Sequence, residues 1–230
     1  MDTTRIAELL QPFLAVSENC HSEQSEESAF LTPAQLRDIS TYIDLLLRWN
    51  ARINLTAIRQ PEEIVTRHFG ESLFAARHLF PQCRPEHPGS CGGAATLIDI
   101  GSGAGFPGVP IKVLATHINL TLIESNQKKS TFLRELTRAL TLTDVNVFPG
   151  RAEDYPNPPA EVVTLRAVER FDTALPPASR LVIPGGRLAL LIGESQLPQT
   201  KILTPDFEWP QPVNIPLSSQ RCLAIGTRNH

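Results

Sequence analysis

The residues best placed to do chemistry lie near the middle of the chain, in the stretch LIDIGSGAGFPG at 97–108. An acid, Asp99, is followed by glycines at 101, 103, 105 and 108. Glycine adopts backbone conformations closed to other residues and lets the main chain approach a ligand closely. Two familiar ligands fit poorly. A dinucleotide loop reads G-x-G-x-x-G, and Phe106 stands where its third glycine would be. A phosphate loop ends in Gly-Lys-Ser/Thr, and no lysine follows here. What remains is acid-x-Gly-x-Gly-x-Gly. Glu124 ends the next apolar run, where a carboxylate accepts both hydroxyls of a ribose. Arg166 closes a later one, in TLRAV. Neither Glu124 nor a tight-turn role for the glycines decides the ligand alone.

These residues need elements to hold them. Residues 1–18 read as a short amphipathic helix, and the polar, acidic 17–28 as a linker. Thr32, Pro33 and Gln35 form a helix start with a capping box. Leu36, Ile39, Ile43, Leu46 and Leu47 then recur at helical spacing. Residues 61–80 predict one further helix, and 81–95 a loop rich in Pro and Gly. From 96 the pattern changes. TLIDI, NLTLIES, VNVFPG, EVVTLRAV and GGRLALLIG read as strands, with helices after the first two, and VNIPLS and RCLAIGTR as a closing pair. Alternation of this kind predicts a mostly parallel sheet covered on both faces, with ligands beyond the carboxyl ends of its strands. The chain is expected to divide into a helical extension, 1–95, and a core, 96–230, packed as one unit.

The glycine loop, Glu124 and the Pro-Gly-Gly before the late strand together resemble class I methyltransferases that use S-adenosylmethionine. That ligand carries no phosphate, so its loop needs no lysine. What is missing narrows the target atom. Amino-group methylation uses an Asn/Asp/Ser-Pro-Pro-aromatic motif after the fourth strand. The NPPA at 157–160 precedes that strand and lacks the aromatic. Attack on pyrimidine C5 needs a cysteine near Arg166, and none is there. Guanine N7 needs neither device: it has a lone pair and no proton to lose, so positioning suffices.

The longer motifs are similar to one family. They are LLLRWNARINLTAI (45–58), RHFGESL (67–73), LIDIGSGAGFPGVPI (97–111), ESNQKKSTFLREL (124–136), GRAED (150–154), TLRAV (164–168) and PGGRLALLIG (184–193). On these residues the chain resembles the RsmG, or glucose-inhibited division protein B, family over about 35–228. The resemblance implies a Rossmann-like, seven-stranded, mostly parallel sheet with an N-terminal helical extension. It implies S-adenosylmethionine-dependent methylation of guanine N7 at position 527, in the 530 loop of bacterial 16S rRNA, by direct in-line transfer without a covalent enzyme intermediate. It assigns Gly101, Gly103, Phe106, Glu124, Ala152, Glu153 and Arg166 to the cofactor. Arg166 and Arg151 become candidate positioning residues at the reacting groups, and Arg52, Asn54, Arg67, His68, Lys128, Lys129 and Arg221 candidate RNA contacts. Two departures stand out: Glu71 replaces the family's usual Asp, and Ile192 stands where a Lys is frequent.

Bulk properties narrow the alternatives. A net charge of −3 excludes nonspecific coating of nucleic acid, so an RNA partner must meet a local patch. Arg48, Arg52, Arg59, Arg67 and Arg77, and Lys128, Lys129, Arg134 and Arg138, are two basic groups that supply one; each residue singly is an ordinary solvated cation. Trp49 reads as core beside Leu46 and Leu47, and His68 as a hydrogen-bonded structural histidine. The four cysteines form no CxxC pair, and His78, Cys83, His87 and Cys91 lack a zinc-site spacing, so no metal is expected. No apolar run would span a bilayer and the N-terminus lacks the pattern of a signal peptide, so the expected location is the cytoplasm. The expected partner is 16S rRNA or the 30S particle, met by a monomer. The competing readings are a small-molecule methyltransferase of the same fold and a noncatalytic ribosome-assembly factor.

Overall fold

Two sequence signals set the helical layer that packs beside the glycine loop. The computed structural model describes residues 1–15, 31–81, 95–166 and 171–230. Helix α1 (Thr3–Leu14) buries Ile6, Leu10, Phe13 and Leu14. Helix α2 (Pro33–Ile53) starts at the expected capping box: Thr32 Oγ1 accepts from Gln35 N at 3.2 Å, and Gln35 Oε1 accepts from Thr32 N at 2.8 Å. It ends at Asn54, in the left-handed region at φ 47°.

Where the sequence predicts one helix over 61–80, the rod is interrupted. Helix α3 (Pro61–Glu63) runs into a π-helical segment, Ile64–Gly70, and then into α4 (Glu71–Leu79). A π turn holds more residues than an α turn and shifts the side chains that follow. Arg67 and His68 stand on this segment.

The sheet starts with β1 (Thr96–Ile100), after which come α5 (Gly108–Leu114), β2 (Asn119–Ile123), α6 (Gln127–Ala139), β3 (Val145–Phe148) and β4 (Ala160–Arg166). Then follow α7 (Phe171–Arg180), β5 (Val182–Gly193), α8 (Leu197–Leu203), β6 (Phe207–Glu208), β7 (Val213–Asn214) and β8 (Arg221–Arg228). The order across the sheet is β3-β2-β1-β4-β5-β8-β6, with β7 also on β8. The first five strands are parallel, and β8 is antiparallel to β5. The closing pair predicted from VNIPLS and RCLAIGTR is present, Val213 opposite Leu223. The seventh position is divided between β6 and β7, which pair with different ends of β8. Pro-Gly-Gly is an irregularity inside β5, not a turn before it. Val182 pairs with Ala160, but the next pair is Arg187 with Val162. Helices α7 and α8 are additions to the sequence reading, α7 carrying Pro176 and Pro177 in its interior.

Strand side chains alternate between two apolar clusters. Leu97, Leu120, Leu122, Val162, Ala189 and Leu191 pack with residues of α1, α2, α4, α5 and α6 on one face. Ile98, Ile100, Ile123, Val163, Leu188 and Leu190 pack with α7 on the other. The helices before residue 95 therefore share a continuous core with the sheet. Successive connections run outward from β1 through β2 to β3, and on its other side through β4 to β5. The chain thus switches direction between β1 and β4, and the groove at the carboxyl ends of these strands is where ligands sit in such sheets.

Candidate active site

The loop after β1 is tied down from below. Asp99 is fully buried; its Oδ1 accepts from Thr164 Oγ1 at 2.8 Å and its Oδ2 from Gly108 N at 3.2 Å. Burial pushes its carboxyl up to about 6, against the lowering effect of these hydrogen bonds. Gly101 N and Ser102 N both donate to Ile123 O, at 2.9 and 3.1 Å, which docks the loop on the end of β2. Gly103 and Gly105 are glycines for different reasons. At φ +56° Gly103 is left-handed, and a side chain there would enter open space, meeting only Gly101 O at 3.7 Å. Gly105, at φ +94°, has no room, because Tyr42 Oη and Val109 fill the position of a Cβ.

Glu124 closes one side of this loop. It is buried, with Oε2 accepting from Gly103 N at 2.8 Å and Oε1 from Asn126 N at 2.7 Å. Each oxygen keeps a second acceptor direction, the pair of acceptors a vicinal diol requires. Ala152 and Glu153 form a short 3₁₀ turn with Asp154 beyond β3, Glu153 exposed, and Arg151 immediately before it is exposed as well.

Phe106, at the end of the loop, packs into the helical layer. Its side chain is 5% exposed and enclosed by the helical layer. It stacks on Tyr42 (centroids 5.1 Å, 5° between planes) and on His68 (4.6 Å, 21°), and Phe69 meets it edge-on at 5.2 Å. Tyr42, which the sequence reading passed over, also donates its hydroxyl to Ala104 O. Stacked rings and this bond fasten the glycine loop to α2 and the π segment.

Beyond the ends of β4 and β5 lies a cavity of about 190 Å³. Leu165, Arg166, Phe171, Leu191, Ile192, Gly193, Gln196 and Arg221 line it. Antiparallel pairing puts Arg221 opposite Gly193, so a residue distant in sequence reaches the same edge. Ile192, at the frequent lysine position, is buried and gives this wall an apolar patch.

Beside the cavity Glu71 gathers three cations. Its Oε1 accepts from Arg67 Nε at 3.2 Å. Its Oε2 accepts from Arg166 Nη2 at 3.0 Å and Nε at 3.3 Å, and lies 2.7 Å from Arg221 Nη2. One carboxylate thus faces three guanidiniums, a local excess of two positive charges. Burial pushes the Arg221 pKa down, with Glu71 opposing it. Arg166 donates further to Arg67 O at 2.7 Å and to His68 Nδ1 at 3.0 Å. Burial, with Arg166, Arg67 and Arg221 nearby, lowers His68 to about 3. Its Nε2 is 2.8 Å from Thr56 Oγ1.

Four predicted residues, Arg67, His68, Arg166 and Arg221, thus meet in one network, and Glu124 and Gly103 in another. Arg52 and Asn54 are exposed at the end of α2, and Lys128 is exposed in the first turn of α6 beside half-buried Lys129. Trp49 is half-buried on Phe132 (5.7 Å), joining the two helices that carry these residues. Asn126 Oδ1 caps α6 by accepting from the backbone N–H of Lys128 and Lys129. Sequence reasoning missed Tyr42, Thr56, Thr164 and Gln196; Thr56 and Thr164 do lie inside quoted motifs. Among the described residues no cluster of His, Cys, Asp and Glu could hold a metal, and Cys83, His87 and Cys91 lie outside them. Among the described residues no helix is long and apolar enough to cross a membrane.

A family model described as GidB, rRNA small subunit methyltransferase G, matches residues 35–220. Curated relatives named ribosomal RNA small subunit methyltransferase G include one from Xanthomonas euvesicatoria pv. vesicatoria. It is 36% identical over 171 residues, 74% of this chain and 72% of the relative. One from Streptococcus pyogenes serotype M12 is 38% identical over 176 residues, covering 72% and 69%. Among solved structures, the ribosomal protein L11 methylase of Lactobacillus delbrueckii subsp. bulgaricus matches with TM-score 0.55 at 14% identity, covering 70% of this chain and 80% of that one. A predicted O-methyltransferase of Agrobacterium tumefaciens matches with TM-score 0.52 at 16% identity, covering 61% and 77%. These two likenesses establish the Rossmann-like methyltransferase fold.

Proposed function

This chain belongs to the rRNA small subunit methyltransferase G family, and on that premise we propose that it methylates guanine N7 in the 530 loop of 16S rRNA, at position 527, using S-adenosylmethionine. The observation that carries the reading is the juxtaposition of two sites at one sheet edge. One is the open glycine loop with Glu124; the other is the cavity flanked by Arg166 and Arg221.

The residues present fit the cofactor. Glu124 offers an acceptor on each oxygen for the ribose diol, the loop at Gly103 leaves space above the backbone, and no lysine is there to demand a phosphate. Ala152 and Glu153 are assigned to the adenine side. Bound there, S-adenosylmethionine supplies an electrophilic methyl group. The chain's own part is to bind and orient. N7 carries a lone pair and no proton, so no residue has to act as base. His68, neutral and bonded at both ring nitrogens, has no base role in this scheme. A covalent intermediate is not needed either; Cys222, the only cysteine among the described residues, is fully buried. Arg166 is proposed to position the reacting groups. Arg67, half exposed and with its Nη groups unspent on Glu71, and Arg221 are proposed to meet RNA phosphate, with Arg52, Asn54, Lys128, Lys129 and Arg151 on the rim. His68 is set back from that contact by its burial. The substrate is 16S rRNA or the 30S particle, met by a monomer in the cytoplasm.

Incubation with methyl-labelled S-adenosylmethionine and, separately, 30S particles, naked 16S rRNA and a metabolite extract tests this. Label in small-subunit RNA is expected. Label only in a metabolite would move the reading to a small-molecule methyltransferase, and cofactor binding with no transfer to an assembly factor.

A further inference from the structure

We propose that His68 is a positioning residue: it sets the orientation of Arg166 with its ring edge while supporting the glycine loop with its ring face. The activity readouts rest on the methyltransferase reading; the geometry does not. A guanidinium has only donors, so the contact between Arg166 Nη1 and His68 Nδ1 makes Nδ1 the acceptor. A neutral imidazole has one N–H, which is then on Nε2 and donates to Thr56 Oγ1. That hydroxyl is itself fixed, accepting from Ile58 N at 3.1 Å. Asn50 holds the Thr56 main chain from both sides. Asn50 Oδ1 accepts from Thr56 N at 2.9 Å, and its Nδ2 donates to Thr56 O at 3.0 Å. Asn50 is buried in α2, so the clamp is anchored in the helical layer.

The chain Asn50–Thr56–His68–Arg166 therefore runs from α2 to the cavity wall. The face of the same imidazole lies on Phe106, which also stacks on Tyr42. One ring thus carries two adjustments, the direction of Arg166 and the seat of the glycine loop. It also gives a physical role to the Trp-Asn-x-x-Ile-Asn-Leu-Thr block, which holds Asn50 and Thr56 and contributes no residue to the cavity lining.

Two substitutions separate the functions. H68F keeps a ring for Phe106 and loses both hydrogen bonds. H68N keeps an acceptor where Nδ1 stands and loses the ring. H68F is expected to lower kcat about tenfold or more while the Kd for S-adenosylmethionine stays within about threefold. H68N is expected to weaken the cofactor by about tenfold while keeping more of kcat than H68F does. T56V should follow H68F in direction. Equal loss of rate and affinity in both variants, tracking their loss of Tm, would make His68 merely structural and overturn the proposal, as would no change in either. Nitrogen-15 spectra of the imidazole in the wild-type protein decide the geometry without any methyl transfer. A single Nε2–H tautomer is expected from about pH 5 to about pH 8, lost to exchange or titration in N50A. An Nδ1–H or protonated ring in the wild type overturns the proposal. Absence of methyl transfer by a wild-type protein that passes this spectral test would instead refute the functional reading.

Discussion

Replacing Glu71 by Gln probes the network that holds Arg166. The Glu71 side chain is 2% exposed and Arg166 6%, so neither rehydrates when the other loses its charge. Gln retains one acceptor, but its amide nitrogen must face arginine donors, and three guanidiniums are left without a carboxylate. Removing one partner of a buried pair costs about 3–5 kcal/mol. The Arg67 contribution is discounted, because that side chain is 43% exposed and screened by solvent. The expected cost of E71Q is therefore at the lower end, about 3 kcal/mol. In a chain of this size that lowers Tm by roughly 6–12 °C. Urea unfolding near neutral pH measures it directly. E71D keeps the charge one methylene shorter and should cost about 1–2 kcal/mol. R221Q removes one of the competing cations, so E71Q/R221Q should be less damaging than the sum of its parts by about 1 kcal/mol or more. An E71Q protein within about 0.5 kcal/mol of wild type, or a strictly additive double variant, would refute the argument that Glu71 neutralises a buried cationic cluster.

Three further outcomes follow from the geometry. G103D projects a carboxylate into the open space over a left-handed residue; isothermal titration should give no S-adenosylmethionine binding at about 1 mM ligand, and wild-type affinity would remove the loop from the cofactor site. N50A leaves Thr56 N and O without their partner, at an expected cost of about 1–3 kcal/mol in urea unfolding; a neutral result would mean the 54–60 loop holds itself. Asp99 has a raised folded pKa, so its stabilising contribution is complete below about pH 4 and is lost as pH rises through about 6. The stability of wild type relative to D99N should thus fall by about 1–2 kcal/mol between pH 5 and pH 8, and a pH-independent difference would show that Asp99 does not titrate there.

Much of the scaffold was legible because it rests on local rules. The capping box at Thr32 and Gln35, the alternating apolar strands and the glycine loop after β1 each follow from a few adjacent residues. Features that were not legible depend on distant partners. Nothing in the periodicity of 61–80 announces a π segment, yet that segment brings Arg67 O and His68 onto Arg166. Phe106 sits inside a ligand-loop motif, but its side chain belongs to an aromatic stack assembled from α2 and the π segment. Arg166 and Arg221 looked like separate candidates; the β4–β5–β8 register brings them to one edge, where α4 adds Glu71. Pro176 and Pro177 argue locally against a helix, while the burial of Phe171, Leu175 and Ala178 against the sheet provides the tertiary reason for one.

The central claim is tested most directly by mapping N7-methylguanosine in 16S rRNA from a strain lacking this protein, with and without the wild-type chain or G103D supplied in trans. The account predicts one N7-methylguanosine in the 530 loop, at position 527, that appears with the wild-type chain and is absent with G103D. The same modification in all three strains, or a wild-type-dependent methyl group at any other atom, would contradict it.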